Sequence, residues 1–212
     1  MIKIEHTEVD GWEAAIRGMR NPLNSWDKSD SGVKEIYGIG YEFVIGPDDM
    51  ALMQKLAAAG PDHSKYLRMI TVTADITAPL YWWKEFDTYK VGTVANSCST
   101  MHKIHAKEFT FDDFSHEHLT PSGLATLENV IYELNFWRSR YLETKDKEDW
   151  WQMIQLLPSS YNQRRTVQMN YQVLKNMYFA RKAHKLDEWH VFCDWVKTLP
   201  YFKDICIEPL LD

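Results

Sequence analysis

The sequence predicts a single domain of the α+β class that spans residues 1–212. A chain of this length is long enough to bury one sizeable core, and no internal repeat or long linker divides it. A few β-branched segments alternate polar and apolar residues like strands, of which "LRMITVTADITA" is the clearest. Several longer segments have helical periodicity instead, of which "TPSGLATLENVIYELNFWRSRYLETKD" is the clearest.

The first third of the chain predicts a strand and two helices. Residues 2–8 alternate like a half-buried strand, and Asp10 is the predicted N-cap of a short helix that runs to about Arg20. The segment "YGIGYEFVIGPDD" is too rich in glycine for a clear prediction. Asp48 or Asp49 is the predicted cap of the second helix, which the Gly-Pro pair at 60–61 ends.

The central strand leads into a short aromatic helix and then into a polar loop. Pro79 is expected in the first turn of this helix, and its aromatic residues Trp82, Trp83 and Phe86 predict that much of it is buried. The loop "VGTVANSCST" follows with no apolar face to fill. A rigid element that aims a polar loop is a common way to build a site, and also a common way to end a helix.

The second half of the chain is predicted to be mostly helical. The long helix starts at Thr120 and Pro121, and Leu127, Ile131 and Leu134 form its apolar stripe. Further segments predict a helix over 147–156, a strand at "RRTVQMN", a helix at "NYQVLKNMYFARKAH" and a last helix over 187–198. The segment "HKLDEWH" predicts a charged surface or a subunit contact on the last helix.

Composition excludes several classes of function. A net charge of −6 and a pI near 5.8 argue against general binding to nucleic-acid backbone, although a local basic pocket for a small nucleotide is compatible with them. Three scattered cysteines without CxxC spacing indicate neither a disulfide framework nor zinc, and favour a cytoplasmic protein. No apolar run approaches about 18 residues, and the N-terminal segment lacks the pattern of a signal peptide. The 9 Trp and 11 Tyr favour an oligomer.

Two segments that contain histidines are candidate metal sites, and neither is well supported. His102 and His105 have i, i+3 spacing, and "DDFSHEH" places acidic residues close to two further histidines. No HExxH pattern or fixed third ligand accompanies them, so we predict no metal site. The GxGxxG, GxxxxGK[ST] and GxSxG signatures are absent as well.

Asn170 and Arg181 are candidate site residues on one helix. Asn170 lies where a strand turns into a helix, a position that favours Asn as N-cap for structural reasons alone. The 11 residues from Asn170 to Arg181 make about three helical turns, so both lie on one stripe with Leu174 and Met177. An ordinary ion pair or a snorkelling side chain is the alternative for Arg181.

Taken in order, these segments resemble the flavin-dependent thymidylate synthases over nearly the whole chain. "MRNPLNSW" is similar to the early arginine-containing turn of the family, and "LMQKLAAAGPDHSKYL" resembles its helix and histidine segment, with His63 at the family histidine. "ITVTADITAPLYWWKEF" resembles its strand and following helix. In "LPSSYNQRRTVQMNYQVLKNMYFARKAHKLDEWH", Asn170, Asn176 and Arg181 occupy the positions of two family asparagines and an arginine.

This resemblance implies a fold, a set of ligands and roles for individual residues. The implied fold is a small, mostly antiparallel sheet packed against several long helices, assembled as a homotetramer with sites between subunits. The implied cofactors are FAD, with NADPH and methylenetetrahydrofolate where the family chemistry is retained, and the implied substrate is a pyrimidine deoxynucleotide. His63, Tyr89, Asn170 and Asn176 are the expected cofactor residues. Lys90, Cys98 and Arg181 are the expected substrate residues, and no catalytic residue is assigned.

The sequence departs from the family where the family signature carries most of its charge. Thr88, Tyr89 and Lys90 stand in place of an Arg-His-Arg group, and Thr93, Cys98 and Thr100 stand in place of two serines and an arginine. An arginine's bidentate grip on phosphate is not reproduced by threonine. Two hypotheses follow. The chain is a divergent flavoenzyme that transfers a one-carbon unit or a hydride to the base, or it is a nucleotide-binding or assembly protein without catalysis.

Overall fold

Six strands form two antiparallel sheets in the computed structural model, which describes residues 1–38 and 40–210. The larger sheet has the order β1-β4-β6-β5, and β2 and β3 form a separate hairpin. The predicted sheet of the α+β class is therefore confirmed as small and antiparallel. The strands are β1 (Lys3–Asp10), β2 (Gly32–Ile36), β3 (Gly40–Val44), β4 (Thr71–Pro79), β5 (Val94–Ser97) and β6 (Asn162–Asn170).

Seven α-helices surround the larger sheet in the described part of the chain. The long helix and the helix after it confirm the sequence prediction, and Thr120 accepts a hydrogen bond from the Gly123 N–H as the expected N-cap. The helices are α1 (Trp12–Arg20), α2 (Pro47–Ala58), α3 (Leu80–Phe86), α4 (Pro121–Thr144), α5 (Lys147–Leu156), α6 (Tyr171–Arg181) and α7 (Asp187–Thr198). A π-helical turn at Lys203–Ile207 follows α7.

Strand β4 is the centre of the fold. Its pairing with β6 runs from Thr71 opposite Asn170 to Pro79 opposite Asn162, and β1 pairs along its other edge. Alternate residues of β4 are fully buried, as the polar and apolar alternation predicts. The aromatic helix α3 follows directly, and Trp82 and Trp83 are at most 1% exposed. The core therefore fixes where the loop after α3 begins.

Two hydrophobic clusters hold the molecule together. The larger one joins the sheet to α3, α6 and α7, with Trp82, Trp189 and Phe192 in mutual ring contact. The smaller one packs α4 and α5 against the segment that follows β5, through Ile104, Phe109 and other apolar residues. The polar loop after α3 thus leads from one cluster to the other.

Two predicted helix caps are wrong. Asp10 is the last residue of β1, and Gly11, with φ +94°, is the N-cap of α1. An added Cβ at Gly11 would lie 2.1 Å from the Met69 carbonyl oxygen, so the tight approach of the chain requires glycine here.

The caps predicted at Asp48 and Asp49 are wrong for a different reason. Gly46 is the N-cap of α2, and the carboxylate that accepts from the first N–H groups belongs to Asp30, at 3.0 Å from Asp48 N and 3.1 Å from Asp49 N. Asp49 is instead fully buried against Arg20, 2.6 Å from its Nε.

The charged surface predicted on α7 is also partly wrong. Asp187 is exposed and lies 3.0 Å from His118, as a surface residue would. Glu188, in contrast, is buried and accepts a hydrogen bond from the hydroxyl of Tyr81. A side chain that carries charge is buried when a partner satisfies it, which the local sequence does not reveal.

Candidate functional site

Arg181 lies at the end of α6 in a polar and aromatic cluster. Its Nε donates to the Tyr89 hydroxyl at 2.9 Å, and its Nη1 donates to Glu85 Oε2 at 2.9 Å. The guanidinium also lies over the Trp189 ring, 4.9 Å from the centroid. The side chain is 19% exposed. Arg181 is therefore a partly buried ion pair in the free chain, with an open fraction that a ligand could reach.

Glu85 is the acceptor at the centre of this cluster. Besides Arg181, the indole N–H of Trp189 donates to the same Oε2 at 2.9 Å, and His184 Nε2 lies 3.2 Å from it. A carboxylate with several donors is well stabilised as an anion. The positive charge of Arg181 is consequently balanced inside the chain, and an incoming phosphate would have to compete with Glu85.

Asn170 caps α6 and contacts the loop that follows α3. Its Oδ1 accepts from the Val173 N–H at 3.0 Å, which confirms the structural interpretation of this residue. Gly92 approaches the other side of the amide so closely that an added Cβ would lie 2.7 Å from Asn170 Nδ2, and Gly92 has φ +81°. The loop after α3 is thus held against the start of α6.

Two hydrogen bonds through Gln172 connect Asn176 to Ser64, the residue that follows His63. His63 is exposed in the turn after α2, and the next residue, Ser64, donates from Oγ to Gln172 Oε1 at 3.1 Å. Gln172 Nε2 in turn donates to Asn176 Oδ1 at 3.1 Å on the exposed side of α6. Lys90 is also exposed and directly follows Tyr89 in the chain. These predicted residues therefore lie around α6.

Cys98 lies apart from Asn170. Its backbone N–H donates to the Arg164 carbonyl at 2.9 Å, beside the end of β6 that is remote from Asn170. Six residues of extended strand separate Arg164 from Asn170, which corresponds to about 20 Å. Asn170 and Cys98 of one chain therefore lie at opposite ends of β6.

A cavity of about 420 Å³ contains Cys98, and we call it the Cys98 cavity. Three basic residues line it, against two acidic ones, and hydroxyl groups add further donors: Lys103, Lys107 and Arg164, then Asp112 and Asp113, then Ser99 and Thr100. Basic and hydroxyl groups around one cavity suit an anionic ligand. Lys103 and Lys107 were missed by the sequence reasoning, because lysines in an irregular segment have no periodicity that would indicate their direction.

Two of these cations have carboxylate partners and one does not. Lys107 pairs with Asp113, and Arg164 Nη2 lies 2.6 Å from Asp75 Oδ2. Lys103 forms no ion pair within residues 1–38 and 40–210. Burial raises the pKa of the Tyr161 phenol, which Asp113 raises further, so Tyr161 lines the cavity as a neutral group. Lys103 is the cation most available to a ligand.

Comparisons with known proteins concern the fold. No protein-family model matches the sequence, and no curated protein does either. Solved structures do match: thymidylate synthase X from Helicobacter pylori with FAD and dUMP has 16% identity and a TM-score of 0.69, over 100% of both chains. The chain has the fold of the flavin-dependent thymidylate synthases.

Two further solved structures support this thymidylate synthase fold. A second structure of the Helicobacter pylori enzyme, complexed with FAD and dUMP, has 16% identity and a TM-score of 0.68, over 99% of this chain and 100% of that one. The UMP/dUMP methylase PolB from Streptomyces cacaoi, bound with 5-Br dUMP, has 11% identity and a TM-score of 0.58, over 93% and 91% of the two chains. The resemblance inferred from sequence is thereby confirmed at the level of fold.

Two features are absent from the part of the chain that the structure describes: a helix that could span a membrane and a cluster that could hold a metal ion. None of its described helices is both long and apolar enough to cross a lipid bilayer. Within the described ranges, no three His, Cys, Asp or Glu side chains are grouped so that they could hold a metal ion.

Proposed function

We propose that this protein binds a pyrimidine deoxynucleotide such as dUMP, with its phosphate in the Cys98 cavity. The observation that carries the proposal is the cavity itself, where Lys103 has no carboxylate partner in the described chain and hydroxyl groups of Ser99 and Thr100 lie beside it. Solved proteins of the same fold carry dUMP or a dUMP analogue. Phosphate oxygens are well matched by lysine and hydroxyl donors.

The family resemblance assigns three residues to the nucleotide: Arg181, Lys90 and Cys98. We propose that two chains bring them together into one site. Asn170 is the last residue of β6, and Cys98 lies beside the other end of that strand, about 20 Å away. Arg181 is tied instead to the α3 segment through Glu85 and Tyr89. A nucleotide whose phosphate lies in the cavity cannot also contact Asn170 of the same chain. We therefore propose the homotetramer expected from sequence, in which Arg181 of one subunit faces the Cys98 cavity of another. We also propose that the protein is located in the cytoplasm.

FAD is the proposed cofactor, and the residues fit its ring better than its pyrophosphate. His63, Tyr89, Asn170 and Asn176 offer imidazole, phenol and amide groups, which suit the neutral, hydrogen-bonding isoalloxazine. The pyrophosphate needs cations, and Arg181 is already paired with Glu85. When bound, FAD would supply the capacity to accept and pass on a hydride. The chain's own residues would bind and orient the nucleotide beside it.

Transfer of a one-carbon unit or a hydride to the base is the proposed reaction. NADPH and methylenetetrahydrofolate would be the further reactants of the family chemistry. A nucleotide-binding protein without catalysis is the second candidate, and one observation favours it. Thr88 and Tyr89 replace charged residues of the family signature, and the arginine that is kept is held by Glu85.

Two measurements on the purified full chain separate these candidates. Bound flavin gives a yellow protein with a flavin absorption band, and its absence after incubation with FAD contradicts the flavoenzyme. Calorimetry with dUMP tests the nucleotide site, where Lys103→Ala should weaken binding by about tenfold. Lys34→Ala, which removes an exposed lysine from β2, is the matched control. Growth of a strain that lacks thymidylate synthase then tests catalysis.

A further inference from the structure

A second cavity, of about 300 Å³, lies on the other side of the loop that lines the Cys98 cavity. Ser99, Thr100 and Lys103 line the Cys98 cavity, whereas Met101 and neighbouring residues line this one. We call it the α4–α5 cavity, because its far wall comes from the junction of those two helices. Its basic residues are His102, His105, Lys145 and Lys147, and its rings are Tyr141 and Trp150.

The charge in the α4–α5 cavity is of one sign. None of the residues that line it is acidic. Lys145 and Lys147 form no ion pair within the described chain, and lie instead over ring faces: Lys145 Nζ is 5.7 Å from the Tyr141 centroid and Lys147 Nζ is 6.0 Å from that of Trp151. Two lysines in a cavity whose lining includes no acid produce a positive potential that attracts an anion.

Carboxylates next to the cavity are engaged elsewhere. Asp146 lies between the two lysines in the chain, but its Oδ1 accepts from the Glu148 N–H at 2.9 Å as the N-cap of α5. Asp149 is buried and accepts from Thr144 Oγ1 at 2.8 Å, with Arg140 at 3.3 Å. Neither of these carboxylates forms an ion pair with Lys145 or Lys147.

His105 supplies an independent sign of an unmet partner. Its Nδ1 is buried and has no hydrogen-bond partner in the described chain. Burial lowers the pKa of His105, and the positive charges of Lys145, Lys103 and Arg138 lower it further. All three of these charges are cations, and they come from the loop, from α4 and from the residue just after α4. An anion bound beside them would neutralise this field.

We propose that the α4–α5 cavity binds the phosphate group of a mononucleotide, at a site separate from the Cys98 cavity. The lysines supply charge-assisted donors from both sides of the helix junction. The indole N–H of Trp150 is already bonded to the Met101 carbonyl at 3.1 Å, so its ring is the part left to contact a base. A phosphate with an attached base uses both kinds of group, and inorganic phosphate uses the cations alone.

The test is calorimetry of the full chain with AMP and with inorganic phosphate, because a purine nucleotide is not the ligand proposed for the Cys98 cavity. The double variant Lys145→Asn, Lys147→Gln should weaken AMP binding by about tenfold or more. Asn suits position 145, where φ is +58°. Lys28→Gln, Lys34→Gln makes the same change in net charge on exposed residues outside the cavity and should leave AMP affinity unchanged.

A local readout accompanies the affinity. The pKa of His105, followed by NMR of its ring, should rise when AMP is added to the wild type and stay unchanged in the double variant, because the anion bound in the α4–α5 cavity offsets the surrounding cations. The proposal would be overturned if the double variant and its control bound AMP with equal affinity, or if AMP left the pKa of His105 unchanged. Because dUMP binding is tested through Lys103→Ala, failure here and failure of the proposed function are distinguishable.

Discussion

Arg181 donates from Nη1 to Glu85 Oε2 at 2.9 Å, across 96 residues of sequence. The pair joins the end of α6 to α3, the helix that aims the polar loop. Tyr89 and Trp189 enclose the guanidinium with their rings at 5.5 and 4.9 Å. The cation that the family resemblance assigns to the nucleotide is therefore already used to hold two helices together, and it can serve a ligand only at the expense of this contact.

Opposite effects on nucleotide binding are expected from the two partners of this pair. Glu85→Gln removes the competing negative charge and should strengthen dUMP binding several-fold if Arg181 reaches the nucleotide, whereas Arg181→Ala should weaken it. Calorimetry on both variants is the measurement. Weaker binding in both, or no change in either, would show that the pair is structural only.

Arg181→Ala should also lower the stability of the free protein. A residue that served only a ligand would leave the stability of the free protein nearly unchanged when it is replaced. The side chain is instead four-fifths buried, with two hydrogen bonds and two ring contacts. We expect a loss of about 1–2 kcal/mol, measured by urea denaturation without ligand. Lys182→Ala, one residue further along and exposed, is the control.

Sequence patterns predicted the buried parts of this fold and missed the exposed ones. β4 and α4 were predicted because burial on one face enforces a period of two or of 3.6 residues. All four residues of β5 are exposed, and the β2–β3 hairpin leaves Val33 and Tyr41 largely in solvent, so neither has such a period. These segments are strands only because each forms backbone hydrogen bonds with a neighbouring strand, which a local sequence pattern does not show.

Some residues of the candidate site could likewise be predicted from the sequence, and others could not. The stripe from Asn170 to Arg181 follows from helical geometry and was predicted. Glu85 could not be predicted as the partner of Arg181, because no local pattern relates residues so far apart in the chain. Lys103 and Lys145 line different cavities, and both lie in irregular backbone, which has no repeat that a sequence could display.

Asp49 makes the stability of the protein depend on pH. Burial alone would raise the pKa of Asp49, but hydrogen bonds from Ser31, Ser29 and Arg20 outweigh it and lower the pKa below the ordinary value of an aspartate. A carboxyl whose pKa is lower in the folded state stabilises the fold above its unfolded pKa, and this contribution is lost as the pH falls through the folded pKa.

Asp49→Asn should therefore be costly near neutral pH and less so in acid. At about pH 7 the variant leaves Arg20, with a side chain 5% exposed, without its counter-charge, and we expect a loss of about 3–5 kcal/mol. Denaturant titrations at about pH 7 and about pH 3 give the comparison. A difference between wild type and variant that is the same at both would contradict the assigned role of Asp49.

Asp30, rather than a residue of α2 itself, is expected to stabilise the start of that helix. Its carboxylate accepts from the N–H groups of Asp48 and Asp49 at 3.0 and 3.1 Å. Asp30→Ala should destabilise the protein by about 1 kcal/mol, as loss of an N-cap does. Asp48→Ala, the matched control, removes an exposed carboxylate in the first turn and should cost much less. Thermal unfolding of both variants decides between the two aspartates.

Replacing Gly92 is expected to destabilise the protein for two reasons, its backbone conformation and its close approach to Asn170. Its φ of +81° disfavours any L side chain, and an added Cβ would lie 2.7 Å from Asn170 Nδ2. Gly38 has nearly the same φ, +80°, but nothing lies within 4 Å of its added Cβ. Gly38→Ala thus reports the conformational penalty alone, about 1 kcal/mol.

Gly92→Ala should cost more than this control, because the new methyl group displaces the Asn170 amide and weakens the N-cap of α6, which adds about 1 kcal/mol. Urea denaturation of the two variants measures the difference. The double variant Gly92→Ala, Asn170→Ala should lose less than the sum of the two single variants, since the clash and the cap involve one amide. Additive losses would mean that Gly92 does not act through Asn170, and that the loop after α3 is held against α6 by other contacts.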